Sequence, residues 1–93
     1  MRSVEEATWR SVIWRKYGLT VKDYAYMANE QGLKCATCAT RLDLDSKDTH
    51  IDHCHATNRV RGLLCVRCNL ALGFARDNAS VLRTMAMYID HHT

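Results

Sequence analysis

Ile51-Asp52-His53-Cys54-His55-Ala56-Thr57-Asn58-Arg59-Val60-Arg61-Gly62-Leu63-Leu64-Cys65-Val66-Arg67-Cys68-Asn69 is the stretch on which the reading of this chain turns. Branched residues on both sides of Ala56-Thr57-Asn58 predict two short strands, Thr49 to His55 and Arg59 to Cys65, joined as a hairpin. The stretch closes on Cys65-Val66-Arg67-Cys68, whose counterpart Cys35-Ala36-Thr37-Cys38 lies upstream. Together these two knuckles offer four thiolates, the set that a closed tetrahedral structural zinc site needs. The insert between them is longer than in simple zinc ribbons, so a separate unit, the hairpin, must sit there. A redox pair would want a βαβ setting and a single Cys-x-x-Cys, and neither condition holds. Zinc also answers a need of size. A chain of 93 residues buries little apolar surface, and metal-binding free energy becomes folding free energy.

The polar residues between and beside the knuckles form a second constellation. Asp52 and Asn69 carry hard oxygen donors suited to Mg2+ or Mn2+, ions that keep open positions for a phosphate. An imidazole titrates near neutrality, which makes His53 the candidate general base for a water attacking a phosphodiester. Strict strand alternation puts Asp52 and His53 on opposite faces, so their service to one site requires a bulge or bend near Asp52. His55 either donates to a phosphate, orients its neighbours, or packs in the hairpin. The fifth cysteine, Cys54, is expected as a small buried hydrophobe. Arg59, Arg61 and Arg67 flank the site as phosphate contacts that read no base, or as solvated surface. Asp-His pairs also occur as ordinary polar contacts and an Asn after a Cys can merely cap a helix. Proximity to the knuckles is what carries the functional reading.

Outward from this centre the pattern is helical. Ser3-Val4-Glu5-Glu6 matches a capping box and opens a first helix whose apolar positions are Trp9, Val12, Ile13 and Tyr17, with Trp14 off the stripe and Gly18 as its stop. Thr20 caps a second, with Val21, Tyr24, Ala25 and Ala28 on one face and Gly32 at its end. Lys34 to Asp48 breaks the pattern, and 43–48 is expected as a polar loop facing water. Asn69 to about Arg76 predicts a short helix; Val81, Leu82, Met85, Tyr88 and Ile89 mark a last one, capped by Asn78 or Ser80. The result is an α+β chain read as a single domain, 1–93: N-terminal helices over 1–32, a zinc-bound core over 33–77 and a C-terminal helix over 78–93. The net charge of +3 points only weakly to a polyanionic partner. No run nears the roughly 18 apolar residues of a membrane span, and the start has no apolar stretch behind its charge. A cytoplasmic protein is expected, where reducing conditions favour metal over disulfides.

The run from Ile51 to Asn69 resembles the signature of the recombination endonuclease VII family. Tyr17-Gly18-Leu19-Thr20, Asp23-Tyr24 and Gln31-Gly32-Leu33-Lys34-Cys35 resemble that family's entry into its first knuckle, so the likeness covers most of Tyr17 to Gly73. It implies a ββα-metal (His-Me finger, HNH-type) fold stapled by zinc at Cys35, Cys38, Cys65 and Cys68. It implies Asp52 and Asn69 as ligands of the catalytic divalent ion, His53 as general base and His55 as a supporting active-site histidine. Family members cut DNA, branched DNA such as Holliday junctions included. Junction-resolving relatives carry a longer helical C-terminal portion used to dimerise, whereas this chain stops at Thr93. Asn58 stands where the family's hairpin turn commonly has glycine, and Asn tolerates the same left-handed backbone. The expectation is therefore a phage endonuclease that nicks DNA or cleaves preferred DNA structures, branched DNA among them, largely without sequence specificity. A homodimer through the terminal helices and a packaging or recombination partner are further expectations. The rival from another class is a noncatalytic zinc module binding nucleic acid or protein, which needs the four cysteines but not Asp52, His53 or Asn69.

Overall fold

Thr20 begins the first complete helix in the computed structural model, which describes residues 16–93. Its hydroxyl accepts from the Asp23 N–H at 3.1 Å and Asp23 Oδ2 accepts from the Thr20 N–H at 3.0 Å, a reciprocal cap that satisfies two otherwise orphaned donors of α1 (Val21–Glu30). The helix ends as expected at Gly32, whose φ of 66° lets the chain turn back, and the Leu33 N–H then donates to the Ala28 carbonyl at 2.9 Å. Tyr24 and Ala28 form its buried face and Val21 is half-buried. Ala25, expected on that face, is exposed, so the stripe is narrower than the spacing suggested. Lys16 and Tyr17 are helical and Gly18 leaves that turn with φ 67°. The expected capping box at Ser3 to Glu6 and the positions Trp9, Val12, Ile13 and Trp14 lie outside the described residues.

The hairpin comprises β1 (Thr49–His53) and β2 (Val60–Cys65), paired antiparallel. Thr49 faces Cys65 and Asp52 faces Gly62, but His53 faces Val60, so Arg61 is an extra residue without a cross-strand partner. The bulge required by the Asp52-His53 pair is present, and its surplus residue lies on the opposite strand. β1 is shorter than expected because Cys54 and His55 belong to the turn. There the Cys54 N–H donates to the Arg59 carbonyl, the Asn58 N–H to the Cys54 carbonyl, and Asn58 takes φ 63°.

α2 (Val66–Phe74) starts three residues before the expected Asn69. The second knuckle is itself the first helical turn: Cys65 is the extended N-cap residue, and one turn brings its side chain and that of Cys68 to the same end of the helix. After Ala75, Arg76 and Asp77 both adopt left-handed φ values of 55° and 57°. α3 (Ala79–His92) follows, with Asn78 as its cap through a 3.1 Å bond from the Val81 N–H.

Tyr24, Ala28, Cys35, Leu42, Leu63, Leu64 and Cys65 make up the core, so two of its members are knuckle cysteines. The expected polar loop 43–48 is mostly exposed, with Leu44 and Ser46 half-buried, and the irregular stretch before it contributes to the core. Leu42 is buried, its N–H donates to the Leu33 carbonyl at 2.8 Å, and Leu44 packs against the core. Gln31 sews α1 to β2: its amide donates to the Leu63 carbonyl at 2.9 Å and accepts from the Leu63 N–H at 2.8 Å. Gly62 leaves room for this contact: a Cβ there would stand 2.9 Å from Gln31 Oε1, and the Gln31 amide would have to shift. α3 instead leaves Met85, Tyr88 and Ile89 exposed, and the described residues extend to 54 Å along their long axis. Among the described residues no helix is long and apolar enough to cross a membrane.

Candidate metal centres

The four paired cysteines meet as their spacing predicts. The Sγ atoms of Cys35, Cys38, Cys65 and Cys68 all lie within 4.8 Å of one another, and Cys38 and Cys65 are 3.8 Å apart. A tetrahedron with Zn–S bonds of ~2.3 Å has edges of about 3.8 Å. None of the four is in a disulfide. Donor type and spacing thus fit a structural metal such as zinc. The backbone prepares the site: the Cys65 N–H points at Cys35 Sγ at 3.4 Å, and the Cys35 N–H donates to the Thr40 carbonyl at 2.7 Å. Burial pushes the Cys35 thiol up, but hydrogen bonds from the Cys38 backbone, the Thr37 hydroxyl and the Cys65 backbone outweigh it and bring it down to about 5. A Thr37 hydrogen bond pulls Cys68 down, yet burial and the crowding of Cys65, Cys38 and Cys35 leave it pushed up to about 12. Without a cation, four clustered sulfurs share protons; a cation lets all of them act as thiolates.

Apart from the cysteine cluster, a cleft of about 610 Å³ collects His50, Asp52, His53, His55, Arg61 and Asn69, with Lys16, Tyr17, Lys47 and Asp77 also lining it. Every polar residue proposed from the sequence for catalysis therefore borders one space. Asp52 is 8% exposed, the buried charged residue among those described. A buried carboxylate needs a partner, and Arg61 supplies both arms of its fork: Nε donates to Oδ2 at 2.7 Å and Nη2 to Oδ1 at 3.0 Å. The outer edge of the same guanidinium meets Asp77, Nη1 to Oδ2 at 3.1 Å and Nη2 to Oδ1 at 2.8 Å. The Arg61 hydrogen bond holds the Asp77 carboxyl below its ordinary range, and the two carboxylates raise Arg61.

Asn69 Nδ2 lies 3.1 Å from His50 Nδ1. An amide NH2 only donates, so His50 Nδ1 accepts and the Asn69 oxygen is not spent on this bond. The Asp52 carboxylate and the Asn69 amide oxygen, bordering one cleft, are a donor chemistry that suits a hard divalent ion. The His53 ring is half-buried, its centroid 5.8 Å from that of Tyr17 and 4.9 Å from that of His55.

Several residues of this cleft escaped the sequence reading, among them Lys16, His50, Lys47 and Asp77. His50 sits two positions before Asp52, the spacing that puts both on one face of β1, and that periodicity was the available signal. Lys47 and Asp77 carried none, since a loop lysine and an acid after a helix are commonplace. Cys54 departs from expectation: it is half-buried, and hydrogen bonds from Thr57 and the Ala56 backbone draw its thiol down, so it is a polar turn residue and not a buried hydrophobe. Arg59 and Arg67 are exposed, whereas Arg61 is engaged with the two carboxylates.

A family model described as recombination endonuclease VII matches residues 10–91. Among curated proteins, the Gene 59 protein of Mycobacterium phage D29 is 37% identical over 83 residues, which are 88% of this chain and 50% of the relative. The Gene 59 protein of Mycobacterium phage L5 is 36% identical over 83 residues, with the same coverage. The chain thus spans about half the length of the curated relatives it matches. No solved structure matches.

Proposed function

The chain belongs to the recombination endonuclease VII family, and on that premise we propose that it is a metal-dependent DNA endonuclease of the HNH, ββα-metal type. The observation that carries this reading is the cleft itself, in which Asp52, His53 and Asn69, drawn from a strand and the helix after it, border one space beside the four-thiol cluster. β1, β2 and α2 would form the ββα unit, the knuckles its brace, and residues 1–93 a single domain. Asp52 and Asn69 would hold Mg2+ or Mn2+. When bound, such an ion supplies positive charge to the scissile phosphate and its leaving oxygen.

The chain's own groups do the rest. His53 takes the proton of the attacking water on a ring nitrogen, and His55, whose ring stacks obliquely on it, limits its rotation. His50 keeps the Asn69 amide from turning over. Lys16 and Lys47 on the cleft wall, with the exposed Arg59 and Arg67, attract the phosphate backbone without reading bases, so low sequence specificity is expected. A single copy would nick one strand. Two copies paired through terminal helices would address both strands, the arrangement that junction cleavage requires. That the relatives are phage proteins is consistent with action in the cytoplasm of an infected host, where a packaging or recombination protein would be the partner.

The test is nicking of supercoiled plasmid by zinc-loaded protein with Mg2+ or Mn2+, wild type against His53→Ala. Removing a general base costs on the order of 10²- to 10⁴-fold, so the variant should retain zinc and lose nearly all nicking. A variant that nicks as well as the wild type would sink the role of His53. Inactive wild type across ions and branched substrates would favour a noncatalytic zinc module.

A further inference from the structure

We propose that Asp77 is a positioning residue for the Asp52 carboxylate, acting through Arg61. The inference rests on the nuclease reading only in taking Asp52 as a ligand of the divalent ion. Arg61 is the surplus residue of the β2 bulge and has no partner across the sheet to fix it. Its side chain is instead fixed at its far end, where one guanidinium meets two carboxylates along two edges. The inner edge holds both oxygens of the buried Asp52; the outer edge is held by Asp77, 16 residues along the chain.

The backbone at Asp77 is shaped for this contact. Arg76 and Asp77 are consecutive residues with left-handed φ, a conformation that is unfavourable for a residue with a side chain and persists where surrounding contacts enforce it. The Asp77 N–H donates to the Leu72 carbonyl at 2.8 Å, tying the turn to α2, the helix that carries Asn69. Asp52 on the hairpin and Asn69 on the helix are thus held in mutual register by a bridge from β2 to the end of α2. Without Asp77, two of the four guanidinium hydrogen bonds are lost. Arg61 then has a single partner, on which its charge competes with an incoming cation. Both consequences weaken cation binding at Asp52.

The experiment uses full-length zinc-loaded protein and two readouts. Mn2+ affinity is titrated for wild type, Asp77→Asn, Arg61→Gln and the double variant. Loss of a residue that orients a metal ligand typically costs roughly tenfold or more in affinity, so Asp77→Asn should weaken Mn2+ about tenfold in the wild-type background and less than about twofold when Arg61 is already Gln. An equal loss in both backgrounds would mean that Asp77 acts directly on the cation, and overturns the proposal. The second readout is the side-chain ¹⁵N–¹H signal of Arg61 Nε without Mn2+, which needs only the single variant. It should exchange slowly in the wild type and several-fold faster in Asp77→Asn, with Asp77→Glu restoring part of the protection. An Nε–H untouched by Asp77→Asn also overturns the proposal. Failure of the wild type to bind Mn2+ would instead remove Asp52 as a ligand, and the two failures are told apart by which protein shows them.

Discussion

The hairpin contributes to two sites, one at the knuckles and one at the cleft, and these two sides of its role are built on opposite plans. Toward the knuckles it meets four identical soft ligands, contributed in two pairs by segments that each span four residues. Toward the cleft it meets a carboxylate, an amide and imidazoles from β1, the following turn and α2, and a guanidinium whose second partner comes from the turn before α3. The first side needs only short-range geometry, because a thiolate cluster around a cation is self-consistent once two knuckles approach. The second depends on every element being in place, because Asp52 keeps its position through Arg61 and Asn69 through His50. A structural site can be closed and autonomous. A catalytic one must be open, and its groups are held from outside.

The largest expected effect breaks the first side. Removing zinc with a strong chelator, or changing Cys65→Ser, should unfold the chain at ambient temperature, since structural zinc in peptides contributes on the order of 10 kcal/mol or more and two of the four cysteines lie in the small core. Far-ultraviolet circular dichroism during chelation would check this; a cooperative fold surviving in the metal-free protein would show that the apolar core suffices. Next comes the support of the second side. Arg61→Met should leave the Asp52 carboxylate buried and unpaired, destabilising the zinc-loaded protein by about 3 kcal/mol, the low end for a broken buried pair because Arg61 itself is 37% exposed. Denaturant midpoints would measure it, and an unchanged midpoint would mean that Asp52 finds water when the arginine goes. The smallest effect lies away from both: Thr20→Ala removes the α1 cap and should cost about 1 kcal/mol while zinc content and nicking stay at wild-type levels. A large loss of zinc in that variant would show that the two sides are not as separable from α1 as the packing indicates.

The cap at Thr20, Asn78 as one of two candidate caps and the break at Gly32 were legible from residue types at fixed spacing, the left-handed Asn58 from the family resemblance, and the bulge beside Asp52 from asking Asp52 and His53 to serve one site. The misses have a common cause. α2 starts early because a zinc knuckle doubles as a helical turn, Leu44 turns inward because the loop packs across the core, and Ala25 is exposed although its spacing groups it with Tyr24 and Ala28. None of these follows from local propensity, which a tertiary contact overrides at modest cost.

What the sequence by itself determined is the four-thiol cluster and the hairpin between its halves, because knuckle spacing and strand periodicity are properties of neighbouring residues; Asp52, His53 and Asn69 were singled out as candidates by their place beside the knuckles. What only the tertiary structure decided is the state of those groups: Asp52 buried on a guanidinium, Asn69 turned by His50, and Arg61 engaged by Asp77 instead of standing free. Such pairings join residues up to 19 positions apart, and a charge drawn from water must find its partner in space, wherever in the chain that partner lies.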